Sequence, residues 1–326
     1  MRLIPSLVIL CGAVTAAAQI VTDGTMGSAG ALTGPNFAIP DSLGQTRGNN
    51  LFHSFSQFNL ASGESATFSG PANIQNVLAR VTGGHASTID GALNCDIAGA
   101  NFFFINPFGV LFGPNAQVNV SGAFAVTTAD YVKLADGGRF DARHPANDIL
   151  TTAPVSAFGF LGPSPGSIEI TTPYLPLTSG TALSIVGGNV IAKNGAYIPS
   201  PSSRLAIIAT ASAGEVAFDP VHPPDEIKLS HFSKLGAIRL LQGAAFDTSG
   251  DPSGLITLDA ADVVLRDLAA LIAFNNGDAN GKGMVIRART EILISAGQLL
   301  ASLLGNGDRK STRLNSSHLV ISYAVF

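Results

Sequence analysis

The sequence predicts an all-β chain, a parallel β-helix (solenoid) closed at its start by an N-terminal β cap. Three observations predict it. Charged residues make up only 12% of the 326 residues, and 36 are glycine; long surface helices need more charge than that. Short β-rich runs recur and close on Gly, Ser or Asn, as in 236–250, "GAIRLLQGAAFDTSG". Inside the runs Ile238 and Leu240 flank Arg239, and Ile256 and Leu258 flank Thr257, which is the two-residue period of a strand. A single solenoid coil cannot bury its apolar face, so stacked coils share one core and place Gly, Asn and Ser at their corners. At roughly 20–25 residues per coil, about a dozen coils would fit. The competing architecture is a β-sandwich, whose strands also alternate.

Taken in order, the chain opens with "MRLIPSLVILCGAVTAAAQI". Arg2, an apolar stretch and small residues ending at Ala18 read as a secretory signal over 1–18, cleaved between Ala18 and Gln19. Residues 19–100 alternate less regularly, as expected of a cap that covers the first coil's open edge. Phe52, Phe55 and Phe58 are spaced by three, but Ser54, Ser56 and Asn59 between and beside them favour a bent strand or corner over a helix. Phe102 to Ile105 form an apolar run too short to span a membrane. It reads as an inward-facing strand. From 160 onward, runs opening at 166, 182, 204, 236, 254 and 283 supply the repeats. Gly236, Gly254 and Gly283 mark coil starts 18 and 29 residues apart, and 260–274 reads as two short strands.

The chemistry of single residues points to turns, not catalysis. Pro107 cannot donate to a ladder, so the strand ends at Asn106, whose side chain can bond nearby backbone and fix a turn. Gly109 accepts a backbone conformation that strains other residues. Phe108 suits packing, and Phe103, Phe108 and Phe112 are spaced for an aromatic ladder. With Cys11 in the signal, Cys95 stands alone and reads as a small buried hydrophobe. His53, His85, His144, His222 and His231 are scattered without a ligand spacing, so no metal or other cofactor is expected. A net charge of −4 leaves no footprint for nucleic acid.

The run 80–132, "RVTGGHASTIDGALNCDIAGANFFFINPFGVLFGPNAQVNVSGAFAVTTADYV", resembles the N-terminal two-partner secretion domain of the filamentous haemagglutinin family. The family hallmark is Asn-Pro-Asn-Gly-Ile after an apolar strand. Asn106, Pro107, Gly109 and Val110 match it, Val110 conservatively, while Phe108 replaces the usual asparagine. Ile89-Asp90-Gly91 upstream, then Phe112-Gly113-Pro114-Asn115-Ala116 and Gly122 downstream, match its flanks. "NNLFHSFSQFNLASGESATF" (49–68), "LSIVGGNV" (183–190) and "SAGEV" (212–216) resemble other blocks, so the likeness spans 19–220. Asn59-Leu60 is a partial echo of the second motif of some branches. From Arg309, "RKSTRLNSSHLVISYAVF" is similar to a spurious tail produced on unrelated proteins by translated adapter or vector DNA. That likeness implies a non-native 309–326 and a native frame continuing past 308.

The resemblance implies a right-handed β-helix and a route for the chain. After the Sec translocase, a cognate outer-membrane TpsB-type transporter with POTRA modules would capture the 19–220 domain. The domain would then nucleate β-helix folding at the surface of a Gram-negative cell, with 221–308 continuing the repeats. The full protein would be an adhesin or haemagglutinin with a host-cell, carbohydrate or matrix ligand. It would not be an enzyme. Two alternatives stay open. One is a β-helical polysaccharide-active enzyme, for which Asp259, Asp262 and Asp267 are the densest acidic set. The other is an autotransporter passenger.

Overall fold

Every N–H and C=O in a buried strand needs a ladder partner, and short strands ending in turns can find one by stacking along an axis. The computed structural model, which describes residues 20–301, 313–316 and 318–321, does this with three parallel sheet faces. Face one starts at Asn50–Phe58 and stacks Asn76–Val81, Asn101–Ile105, Phe124–Thr127, Ala182–Gly187, Arg204–Ala209, Leu255–Arg266, Gly283–Ser295 and Arg313–Asn315. Face two runs from Ser87–Ile89 through Val110–Phe112, Ile168–Ile170, Val190–Ala192 and Ala237–Leu240 to the second halves of the two long strands and His318–Ile321. Face three is made of two four-stranded stacks, one from Asn36–Pro40 to Gln117–Asn119 and one from Tyr197–Pro199 to Gln298–Leu300. The fold is a parallel β-helix.

The first coil's open edge is closed by antiparallel strands. Ile20–Thr22 and Gln45–Arg47 pair with Asn50–Phe58, and Gly30–Ala31 pairs with Ile20–Thr22. This is the N-terminal β cap, and it removes an edge that would otherwise template aggregation; its antiparallel strands end at Arg47, and residues 50–100, expected to belong to the cap, already form parallel coils.

Two segments leave the coil. Residues 128–167 and 210–236 each run between a face-one and a face-two strand. They supply an antiparallel sheet ordered Arg139–Asp141, Tyr131–Leu134, Val155–Phe160, Gly214–Ala217. This sheet lies outside face one, and a second core forms beneath it. The inner core holds Leu51, Val77, Phe102, Phe104 and Phe124; the outer core holds Phe52, Leu78, Phe103 and Ile105 against Phe140, Phe158 and Phe232. Buried on both sides, Phe102 to Ile105 can be apolar throughout instead of alternating.

Several expectations are corrected here. Face one has nine strands among the described residues, fewer than a dozen coils, because the two outside segments consume chain. Gly236 and Gly254 do not start successive coils. The first precedes face two, whereas the second precedes face one, and Leu255 pairs with Gly283 one coil on. Only Phe102 and Phe104 of the apolar run point inward; Phe103 and Ile105 point to the outer core. Phe103, Phe108 and Phe112 therefore form no ladder. The aromatic stack instead runs Phe68 to Phe102 at 4.7 Å and Phe58 to Phe104 at 5.1 Å. In 260–274, the first part belongs to a twelve-residue strand that turns from face one to face two after a bulge, and Ala270–Ile272 follows on face three. Phe52, Phe55 and Phe58 do lie on one strand.

The signal peptide with its Ala18–Gln19 cleavage point lies outside the described residues, as do 309–312, 317 and 322–326 of the tail. Arg313–Asn315 and His318–Ile321 pair in parallel with Gly283–Ser295.

Candidate functional site

The candidate residues Asn106, Pro107, Phe108, Gly109, Val110, Phe112, Gly113, Asn115 and Gly122 lie on one coil, at its three corners and the face-two strand between. Asn106 is fully buried at the corner from face one to face two. Its backbone N–H continues the ladder by donating to Thr127 O at 2.9 Å. Its side-chain Nδ2 donates to His85 O and Ser87 Oγ, both at 3.0 Å, in the preceding coil. Its Oδ1 accepts from the Phe108 N–H at 3.0 Å, and its carbonyl accepts from the Gly109 N–H at 3.1 Å. One asparagine thus ties the coil behind it and closes its own turn, as short polar side chains do at such sites. Pro107 needs no donor there, and its carbonyl accepts from the Gly166 N–H at 3.1 Å. Gly109 has φ +123°, a region that strains any side chain.

Phe108 is half-buried. The Arg143 guanidinium lies 4.3 Å above its ring and is held by Asp130, which accepts from Arg143 Nε at 2.8 Å. The outside segment 128–167 therefore roofs the corner through Phe108.

Val110 and Phe112 face the inner core. At the next corner, Asp90 of the preceding coil accepts from the Asn115 N–H at 2.8 Å and from its side-chain Nδ2. A Cβ on Gly113 would stand 2.3 Å from Asp90 Oδ1, and one on Gly122, at the third corner, 2.5 Å from Ala100 O. The flanking matches Ile89-Asp90-Gly91 and Phe112–Ala116 are thus equivalent corners of adjacent coils. The structure brings Asn106 to Gly109 together with the roof and Asn115 together with Asp90; it does not gather the three corners into one pocket.

Sequence reasoning missed the most connected polar group. Arg80 is fully buried on the outer side of face one. Its Nε donates to Ser54 Oγ at 2.8 Å, and Nη2 to Thr25 Oγ1 at 2.9 Å. Its Nη1 donates to Asp141 O at 2.7 Å and to both oxygens of Asp148, at 2.6 and 2.8 Å. The Phe140 ring lies 4.3 Å away. Burial pushes the Asp148 carboxyl above its usual range, and Arg80 pulls it back. Hydrogen bonds from Ser54, Thr25 and Thr82 outweigh burial at Asp23 and hold that carboxyl low. A second missed feature is an asparagine ladder. Asn76 Nδ2 donates to Asn50 Oδ1 at 2.8 Å, Asn101 Nδ2 donates to Asn76 Oδ1 at 2.9 Å, and the Ala123 N–H donates to Asn101 Oδ1 at 3.0 Å. Its signal was the recurrence of Asn before an apolar run, in "NNLF", "QNVL" and "ANFF".

No group of three His, Cys, Asp or Glu residues suited to a metal occurs among the described residues. Cys95 is buried in the inner core, and burial raises its thiol pKa. Asp259 pairs with Arg287 on face one, while Asp262 lies on face two and Asp267 at the turn that follows. The described residues contain no helix long and apolar enough to cross a membrane.

The heme/hemopexin-binding protein of Haemophilus influenzae is 35% identical over 81 residues, which is 25% of this chain and 8% of that protein. The chain thus spans a small part of that relative's length. The crystal structure of the filamentous hemagglutinin secretion domain aligns over 93% of this chain and 99% of its own, at 16% identity and a TM-score of 0.41. The HMW1 secretion domain of Haemophilus influenzae aligns over 94% and 82%, at 16% identity and a TM-score of 0.46. The model of the TPS secretion domain family matches residues 18–258, well over half of the chain. The chain belongs to that family and carries the secretion domain of a two-partner-secretion exoprotein.

Proposed function

We propose that residues 19–220 are the part read by a cognate outer-membrane TpsB-type transporter with POTRA modules. In this reading the chain reaches the periplasm through the Sec translocase, crosses the outer membrane unfolded or extended, and nucleates its β-helix outside. Residues 221–308 then begin the repeats of a longer surface protein, an adhesin or haemagglutinin. The observation that carries the reading is the family match over 18–258. A family member of this kind is a secreted exoprotein of Gram-negative bacteria, and its secretion domain is an export module. That this chain has no catalytic activity of its own is part of the proposal.

The geometry supports an indirect role for the motif. Asn106 and Pro107 are buried, so they act by fixing a turn that the exported domain needs, while Asn115 is exposed at its corner. Co-expression of the chain with and without a candidate POTRA-barrel transporter tests the reading, with release into the medium as the measurement. Release should depend on the transporter and fall several-fold for Asn106→Ala. Equal release without the transporter would overturn it.

A further inference from the structure

The polar groups on the outer side of the first coils are completed by residues far along the chain. Arg80 has three donor contacts to Asp148 and Asp141, 61 to 68 residues away. Asn50, which starts the asparagine ladder, donates to Thr151 O at 3.1 Å and Ala153 O at 2.8 Å, about a hundred residues away. Phe52, Leu78, Phe103 and Ile105 are covered by Phe140, Val155, Phe158 and Phe160 of the outside sheet. The cap enters the same network, since Asp23 accepts from Ser54 Oγ at 2.6 Å and from Thr82 Oγ1 at 2.8 Å, and Thr25 accepts from Arg80.

Without the segment 131–160, the first coils would carry an apolar patch and an arginine poised for burial without its carboxylate. Each is unfavourable, the second strongly so. The later coils differ in direction. Gly283–Ser295 mostly alternates buried and half-buried positions, and its arginines reach back to chain that precedes it: Arg287 to Asp259 and Asp225 O, Arg289 to Leu229 O and Phe232 O.

We infer that the cap, the first coils and the outside sheet form one cooperative folding unit locked at Arg80, so that the N-terminal coils become stable only when residues through about 160 are present. A solenoid is expected to fold coil by coil, with stability summed over neighbours; this end of the molecule departs from that rule. The interlock is a property of the chain itself. Its bearing on export rests on the secretion reading above: the first coils would stay unfolded until the outside sheet had followed them across the membrane.

Native-state hydrogen exchange on the full chain, in increasing denaturant, tests the interlock without any transporter. Amides of Asn50–Phe58 and Asn76–Val81 should exchange through the same opening as those of Tyr131–Leu134 and Val155–Phe160. Gly283–Ser295 should open separately. Opening of the outside sheet with the first coils still protected would overturn the inference. In Asp148→Asn, exchange should rise about tenfold or more across the cap and first coils, with Gly283–Ser295 unchanged. A rise confined to the outside sheet would count against Arg80 as the lock. His144→Gln alters an exposed side chain of the same segment and should leave the first coils unaffected; an equal rise there would also overturn the assignment. Transporter-independent release, by contrast, would fail the secretion reading and leave the interlock standing.

Discussion

Two columns of residues run side by side up face one, and they behave differently. The inward column reads Leu51, Val77, Phe102, Phe124, Leu183, Leu205, Ile256, Met284. It is apolar from end to end. The outward column, one residue along each strand, reads Phe52, Leu78, Phe103, Ala125, Ser184, Ala206, Thr257, Val285, Arg313. Up to residue 285 it passes from large apolar side chains to Ala125, Ser184, Ala206 and Thr257, small or polar, and then to half-exposed Val285. The backbone geometry is the same throughout. What changes is the cover: an antiparallel sheet over the first coils, then the irregular segment 218–236, then solvent. That segment has little ladder bonding of its own, and arginines of face one hold its backbone. Arg204 donates to Pro223 O, Arg287 to Asp225 O, and Arg289 to Leu229 O and Phe232 O. An outer face in a β-helix is therefore not intrinsically polar; its composition reports what lies on it.

The largest break in this comparison comes from truncating the outward column once under the outside sheet and once beyond it. Phe103→Ala should cost about 3–5 kcal/mol, the price of a large core cavity. Val285→Ala, half-exposed at the equivalent position, should cost about 0.5–1 kcal/mol. Denaturant midpoints of the two variants measure the contrast, and equal losses would mean that the outside sheet does not bury Phe103 in solution.

A second test concerns the one polar residue of an inward column. His53 stands in register with Ala79, Phe104, Val126 and Ile185, fully buried, with neither ring nitrogen hydrogen-bonded. It packs 5.3 Å from the Phe68 ring. Burial pushes its pKa down to about 4 from 6.5, weakly opposed by the Leu43 carbonyl. Above pH 6.5 the ring is neutral in both the folded and the unfolded chain, so its titration contributes nothing there. Stability then falls as pH drops from 6.5 towards 4, by about 3 kcal/mol. Urea midpoints at pH 7 and pH 4 should show that extra loss in the wild type relative to His53→Phe. An identical pH dependence in the two proteins would show that the cap admits the charged ring.

A small effect is expected at the corner. Phe108→Asn puts there the asparagine that the sequence resemblance led one to expect and removes the ring under Arg143, at a cost of about 0.5–1 kcal/mol. Proteolysis within 128–167 should quicken slightly. Unchanged proteolysis and an unchanged midpoint would show that Arg143 is held by Asp130 alone.

Much of the fold was legible in residue order. Period-two runs gave the strands, and Asn106-Pro107 marked a corner without reference to any other part of the chain, since proline's missing donor is a local property. The corner pair Asp90 and Asn115 was legible as two similar flanks, though not as touching groups. Arg80 was not legible. In "NVLARV" it occupies the same side as Leu78, and on an exposed strand that side would simply be solvated. The outside sheet was hidden for a related reason: "YVKL" and "VSAFGF" have the same period as coil strands, and period does not say whether a strand pairs in parallel or antiparallel.

By itself the sequence determined the inward column and the corners, because side-chain alternation and the chemistry of Asn, Pro and Gly act within a few residues. Only the tertiary structure decided the outward column. Whether Phe103 or Arg80 meets water depends on Phe140 and Asp148, dozens of residues further on, and burial of that kind is fixed by how distant segments pack.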